Sequence, residues 1–188
     1  MRSTGTGFPS TNEPESCGSS AKRSTHLPQP THPLSPDFRD LLCALSEADA
    51  KYLVVGGYAV GVHGHPRATK DLDVWIEASR ENAPKVIAAL VKFGAPLMGL
   101  TESDLHAPGV GLRIGVEPGR IDVLTKITGV DFASAWAGKL DAVFGDVLAH
   151  VIGWAELIAN KRAAGRAQDI ADVSALERLR LARLRSPR

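Results

Sequence analysis

Three aspartates within apolar, strand-like segments are the residues of this sequence best suited to chemistry. Asp71 and Asp73 belong to the segment DLDVWIE, and Asp122 belongs to GRIDVLTKI. Alternate residues of a β-strand point to the same face, so Asp71 and Asp73 project together with Cα atoms about 6.6 Å apart. Neighbouring carboxylates repel and are costly to bury, and a divalent cation removes both penalties. We therefore interpret the pair as metal ligands, although a solvated strand end also explains an isolated Asp-x-Asp.

Asp122 strengthens this interpretation because its neighbours Ile121, Val123 and Leu124 indicate a largely buried strand. If that strand pairs with the first, about 4.8 Å away, the three carboxylates meet. Such a cluster suits two Mg²⁺ ions about 3.5–4 Å apart, which together stabilise a phosphoryl displacement. We predict Mg²⁺ as the cofactor. The alternative is an acid cluster that binds metal only to stabilise the fold.

Two glycines precede the acids at a point where a strand turns into a helix. Gly56 and Gly57 follow the apolar run YLVV (52–55) and lead into YAVGVHG. Glycines in this position let backbone N–H groups approach an anion such as phosphate, although a plain tight turn needs glycine too. A phosphate site beside a metal-binding acid cluster predicts nucleotidyl transfer.

The elements that position these residues are strands and helices in alternation. Strand signals occupy 52–55, 72–77, 109–117 and 120–127, with one or two more within 141–153. Helical patterns begin at Pro36, with Ser35 as N-cap, and recur over 79–94, within 131–140 and after 153. The core candidates of the last helices are Leu157, Ile158, Ile170, Val173, Leu176 and Leu179. A hairpin around EPG (117–119) breaks a purely parallel pattern, so we predict an α/β (α+β) fold with a small mixed β-sheet flanked by helices.

Composition divides the chain into a tail and one domain. Residues 1–34 are rich in Ser, Thr, Pro and Gly and are predicted to be a disordered tail. Residues 35–185 form the predicted domain, with a core at 50–150 and a C-terminal helical part at 151–185. Of 188 residues, 44% are hydrophobic and 23% charged, and the net charge is +1. This balance gives no overall field that favours nucleic acid or membrane.

Targeting and redox features favour the cytoplasm. No apolar run approaches the roughly 18 residues of a membrane span, and the N-terminus lacks the apolar core of a signal peptide. Cys17 and Cys43 are too few and too differently placed for a disulfide framework, and neither is a catalytic candidate. A reducing compartment and no membrane partner are expected.

The segment VVGGYAVGVHGHPRATKDLDVWIE resembles the signature of nucleotidyltransferases with the DNA polymerase beta-like fold. That signature is a Gly-Gly or Gly-Ser turn, then roughly ten to fourteen residues, then Asp-x-Asp, with a third Asp on a later strand. HGHPRATKDLDV and ELIANKRAAGRAQDIADVSALE look like the small prokaryotic members, which include AbiEii-type toxins. The resemblance covers about residues 50–180.

The resemblance assigns roles to residues at matching positions. It implies that Asp71, Asp73, Asp122 and Lys161 are catalytic and that the three aspartates bind the metals. Its implied nucleotide-binding residues are Gly56, Gly57, Tyr58, Arg67, Thr69, Lys161 and Arg166. Many relatives carry Ser where this chain has Tyr58, so phosphate binding must rest on backbone amides and basic groups such as Arg67, Lys70 or Lys161.

Several other polar and aromatic residues have less specific interpretations. Lys70 is expected to offset the charge of the acid pair. Asp169 and Asp172 share a helix face and have three interpretations: a solvated ion-pair face, anchors of Lys161 or Arg166 by ion pairs, or residues that position a substrate. The remaining residues of this kind are assigned structural roles: His63 and His65 as capping or satisfied histidines without a zinc site, Trp75 and Trp154 as core, and the arginines of 178–188 as a basic helix end.

The predicted function is a Mg²⁺-dependent nucleotidyltransferase that moves a nucleoside monophosphate from a triphosphate such as ATP to an acceptor hydroxyl. The toxin-like resemblance implies a tRNA or other RNA end, or a protein, as acceptor and an antitoxin as partner. A small-molecule transferase of the aminoglycoside type is an alternative within the same chemistry. A non-catalytic nucleotide- or partner-binding module is the alternative from another class.

Overall fold

The structure is a computed structural model and describes residues 34–185. In this range six α-helices and a short 3₁₀ helix accompany a six-stranded mixed sheet. The helices are α1 (Pro36–Glu47), α2 (Gly56–Val62), α3 (Ala83–Phe93), α4 (Phe132–Ala137), α5 (Trp154–Ala164) and α6 (Ala167–Arg185), with the 3₁₀ helix at Glu102–His106. The strands are β1 (Tyr52–Val54), β2 (Asp71–Ile76), β3 (Gly111–Ile114), β4 (Arg120–Leu124), β5 (Leu140–Phe144) and β6 (Val147–Val151).

The sheet order is β3-β4-β2-β1-β6-β5, and parallel and antiparallel pairs are mixed. β2 pairs in parallel with β4, and β1 in parallel with β6. The other three neighbours, β1–β2, β3–β4 and β5–β6, are antiparallel. This arrangement confirms the predicted mixed α/β class and the hairpin at 117–119.

The two faces of the central strands differ in chemistry. One face of β2 and β4 presents only apolar side chains, all of them buried: Leu72, Val74, Ile76, Ile121 and Val123. The opposite face carries Asp71, Asp73 and Asp122 at its amino-terminal half and Trp75 farther along. The strands therefore contribute one face to the core and reserve part of the other for polar groups.

Helix α1 shows how the sequence sets an element. The Ser35 hydroxyl accepts from the N–H of Phe38 at 3.3 Å, and Pro36 occupies the first turn, as predicted. The apolar stripe of α1 is buried in the core. Cys43 also lies in α1, partly buried against the core, and Cys17 lies outside the described residues.

Some boundaries and burials differ from the prediction. The helix predicted over 79–94 begins at Ala83, because the Ser79 hydroxyl accepts from the N–H of Asn82 and forms a turn there. Ile170 is wrong as a core residue, since it is 59% exposed, and Leu179 is only half-buried. The strands of the hairpin are shorter than the predicted 109–117 and 120–127.

Both ends of the chain extend beyond the described residues. The predicted tail of 1–34 lies outside the described residues except for Leu34, which packs against the core. The predicted basic helix end is helical as far as Arg185, and 186–188 lie outside the described residues. Between residues 34 and 185, none of the helices combines the length and apolar character needed to cross a bilayer.

Candidate active site

The three aspartates lie together on adjacent strands. In the parallel β2–β4 register Asp73 is directly opposite Asp122, and Asp71 is opposite Arg120. Asp71 and Asp73 share a face because they are two residues apart on one strand. The juxtaposition expected from the sequence is therefore present.

Two arginines hold the outer carboxylates. The Arg113 Nε donates to Asp122 Oδ1 at 2.9 Å. Arg120 donates to Asp71 through a short charge-assisted hydrogen bond, and its Nε lies 3.3 Å from Asp122 Oδ2. Sequence reasoning missed both residues. The signal for Arg120 was its spacing of two from Asp122, which puts both side chains on one face of β4.

Asp73 has the most perturbed environment of the three. Burial, together with the nearby charges of Asp122 and Asp71, raises the pKa of Asp73 to about 6, against the partial compensation of Lys161 and Arg166. A carboxyl group in this environment gains most from a nearby cation.

The residues match a divalent cation in donor type, with one obstacle. Carboxylate oxygens are ligands that Mg²⁺ prefers, and the Asp71 Oδ1 atom is buried without a hydrogen-bond partner. Within residues 34–185, however, no three His, Cys, Asp or Glu side chains are placed closely enough to hold one ion. A cation bound between Asp71 and Asp122 would replace the Arg120 guanidinium as their positive partner.

Gly56 and Gly57 lie so close to residues of the site that a side chain at either position would collide with them. Gly56 has φ +62°, and a Cβ at this position would lie 1.9 Å from Asp73 Oδ2. At Gly57 a Cβ would lie 2.6 Å from the Thr69 hydroxyl oxygen. These glycines bring the start of α2 against the acid strand and against the loop before it, where the Thr69 hydroxyl donates to the carbonyl of Asp71 at 3.2 Å.

A network of buried ion pairs attaches the last two helices to the loop. The Lys161 ammonium, 3% exposed, contacts Asp169 at 2.7 Å and Asp172 at 3.0 Å. Asp172 also accepts two hydrogen bonds from Arg67, at 2.8 and 3.1 Å. Asp169 accepts from Arg166 at 2.6 Å. Of the interpretations of Asp169 and Asp172, the structure shows the ion pairs with Lys161 and Arg166, and the burial of both acids contradicts a solvated face.

The acids of this network stay ionised. Burial opposes ionisation of Asp169 and Asp172, but hydrogen bonds from their basic partners outweigh it, so the pKa of each lies below its ordinary value. The network therefore supplies fixed charges of both signs beside Asp73.

A pocket of about 530 Å³ brings most of the predicted site together. Its lining includes eleven predicted or implicated residues: Gly56, Gly57, Arg67, Thr69, Lys70, Asp71, Asp73, Asp122, Lys161, Arg166 and Asp169. Arg113 and Arg120 complete the wall on the β3–β4 side. Cations therefore surround the acids on both sides.

The Tyr58 side chain is not brought to this pocket. It is 5% exposed and packs edge-on against Phe38, with ring centroids 5.7 Å apart, and against Phe144 at 6.2 Å. Burial raises the pKa of its hydroxyl. The Tyr58 side chain therefore belongs to the apolar core, and the expectation that Tyr58 binds nucleotide stays a prediction.

The contacts and burial of the other polar and aromatic candidates agree with the sequence-based interpretation for some residues and differ for others. Lys70 contacts Glu117 at 3.3 Å and lines the same pocket as Asp71 and Asp73, so its role in offsetting their charge stays a prediction. His63 is a satisfied C-cap of α2, bonded to the carbonyl of Ile152 at 2.9 Å, and burial lowers its pKa. Trp75 is buried as predicted, whereas Trp154 is only partly buried and stacks with Arg180, whose guanidinium lies 4.1 Å from the ring centroid.

Chemically, this arrangement can hold cations at a carboxylate cluster and polyanions at the surrounding basic side chains. No protein-family model matches the chain, and no curated protein matches it significantly.

Proposed function

We propose that the protein is a Mg²⁺-dependent nucleotidyltransferase with the polymerase beta-like fold. The observation that carries the proposal is the placement of Asp73 opposite Asp122, with Asp71 on the same face and Gly56 against the Asp73 carboxylate. The mixed sheet and the helical C-terminal part are compatible with that fold, and the sequence resemblance supplies the family.

Asp71, Asp73 and Asp122 would hold Mg²⁺, which when bound neutralises phosphate charge. Lys161 and Arg166 stand beside Asp73 and would bind phosphate oxygens of the nucleotide. Their anchoring to Asp169 holds both cations in place before the substrate binds, so little ordering is needed.

The reaction forms a bond between the acceptor hydroxyl oxygen and the α-phosphorus of the nucleotide. It breaks the bond between that phosphorus and the oxygen that bridges the α- and β-phosphates. Pyrophosphate leaves, and the hydroxyl proton passes to a carboxylate of the cluster and then to water. The protein contributes positioning and electrostatic stabilisation, as in phosphoryl transfer generally. We propose an RNA end, including tRNA, or a protein hydroxyl as acceptor.

Incubation with labelled nucleoside triphosphates, Mg²⁺ and total cellular RNA and protein tests the activity. Label should move into one class of acceptor, and the Asp71→Ala, Asp73→Ala double variant should transfer none while remaining folded. Transfer that survives in the double variant refutes the assignment. Growth arrest on expression, relieved by a neighbouring gene product, tests the proposed toxin role.

A non-catalytic nucleotide-binding module is the second candidate, and the Arg120 contacts favour it because they already neutralise Asp71 and Asp122. Calorimetry with nucleotide and Mg²⁺ beside a pyrophosphate-release assay separates the two. Tight binding without release, for every acceptor tried, supports the module.

A further inference from the structure

The acid-lined pocket is continuous with a second pocket on the side of α5. This second pocket has a volume of about 360 Å³. The two pockets share four lining residues: Gly56, Asp73, Lys161 and Arg166. Beyond the shared boundary the chemistry changes, because the second pocket has no further acid or arginine among its lining residues.

The walls of the second pocket are fixed by contacts between the loop after β4 and α5. Gly129 has φ +78°, and a Cβ there would lie 2.5 Å from the Ala163 Cβ, so the loop lies closely against the helix. The Asn160 amide nitrogen donates to the carbonyl of Thr128 at 2.9 Å. The pocket is therefore a built cleft between the loop and the helix.

The lining suits a flat ring that carries polar edges. Leu124, Ile127 and Val55 supply apolar surface. Since its amide nitrogen is engaged by Thr128, Asn160 offers its Oδ1 as an acceptor, and Lys126 offers an ammonium donor. Small-molecule pockets combine apolar walls with a few polar groups in this way, and their volumes begin at about 300 Å³.

The boundary between the two pockets carries two basic side chains and one carboxylate. Lys161, Arg166 and Asp73 line both pockets, so a ligand that spans the boundary gains from negative charge beside the two basic side chains. A molecule with an aromatic ring at one end and a phosphate chain in the middle has this distribution.

We propose that the second pocket binds the base and ribose of the nucleoside triphosphate, with the phosphate chain passing Lys161 and Arg166 towards the acids. This inference rests on the proposed function and names the residues that select the nucleotide, Asn160 and Lys126 above all. The acceptor must then approach from the other side of the acids, past Arg113.

Filling the pocket tests the proposal. Ala164 lines it from the last turn of α5, and Ala164→Phe would occupy the space of the ring. Binding of the four ribonucleoside triphosphates and of inorganic tripolyphosphate, each with Mg²⁺, is measured by calorimetry. The variant should lose at least tenfold in affinity for the tightest nucleotide and keep its affinity for tripolyphosphate.

Ala155→Phe is the matched control, since Ala155 is exposed on the same helix and lines neither pocket. Thr128→Phe fills the pocket from the exposed loop and should give the same result if Ala164→Phe unfolds. Equal effects on nucleotide and tripolyphosphate, or none on either, overturn the inference while the proposed function stands. A wild-type protein that binds neither probe overturns both.

Discussion

Asp73 and Asp122 face each other across two adjacent parallel strands, and only Asp122 receives an arginine. The charge of Asp73 is therefore less well compensated, and the pKa of Asp73 rises to about 6 because of its burial and its acidic neighbours. A fold that keeps such a pair ionised at neutral pH sacrifices stability at the site.

Asp73→Asn should stabilise the metal-free protein at pH 7.5. The ordinary pKa is 3.8 and the folded-state pKa is about 6, so between these values the folded protein binds a proton that the unfolded chain has lost. Stability from Asp73 therefore falls as pH rises from about 4 to 6. We expect a gain of about 1–3 kcal/mol at pH 7.5, measured by chemical denaturation in EDTA.

The gain should disappear as the pH is lowered to 4, because Asp73 is then protonated in the wild-type fold. Glu81→Gln is the control, since this carboxylate is exposed, and it should change stability little at any pH. A loss of stability in Asp73→Asn at pH 7.5 contradicts the prediction.

Gly56→Ala should cost more than a backbone-strain effect alone. The positive φ of Gly56 and the collision of an added Cβ with the Asp73 carboxylate act together, and we expect a loss of about 2–4 kcal/mol and of cation binding. Gly145→Ala is the matched control, because Gly145 has φ +67° with nothing within 4 Å. It should cost about 1–2 kcal/mol. Equal losses in thermal denaturation would show that the contact with Asp73 does not matter.

Asp172→Asn should destabilise the fold strongly. The substitution removes a buried negative charge that neutralises Lys161 and Arg67, and we expect a loss of about 3 kcal/mol or more. Glu177, on the same helix as Asp172, forms an exposed ion pair with Arg162 of α5. Glu177→Gln breaks this pair and should cost less than about 1 kcal/mol. Denaturant titration of the three proteins gives the comparison.

Tyr58→Phe should leave nucleotide affinity unchanged, because the hydroxyl is buried away from the acid-lined pocket. Tyr58→Ser introduces the serine that the resemblance to nucleotidyltransferases led us to expect but removes the ring from between Phe38 and Phe144. We expect it to lower stability by about 3–5 kcal/mol. Calorimetric nucleotide binding and thermal denaturation measure the two effects. A weaker nucleotide affinity in Tyr58→Phe would show that the Tyr58 hydroxyl contributes to nucleotide binding.

Local patterns in the sequence predicted much of the site. The i, i+2 spacing of Asp71 and Asp73 determines their common face, and apolar neighbours placed Asp122 on a strand. The sequence did not predict that the strand of Asp122 pairs with β2, so this pairing had to be assumed. Strand order depends on tertiary packing, which no local pattern encodes.

What the sequence did not indicate depends on contacts between distant segments. Tyr58 looked like part of the glycine turn, and only its packing with Phe38 and Phe144 assigns it to the core. Arg113 lies opposite Asp122 in the register between β3 and β4, and the sequence did not predict that register. Ile170 failed as a core residue because it lies off the face of α6 that buries Asp169, Asp172, Val173 and Leu176.

The contact between Arg67 and Asp172 spans 105 positions of the chain. A ribosome that has released the sheet, with its acids and glycines, has not yet released the partner that holds the Arg67 loop and Lys161. The nascent polypeptide can therefore fold its strands early but cannot complete the polar wall around Asp73 until α6 has emerged, so the site is assembled after the sheet has been synthesised.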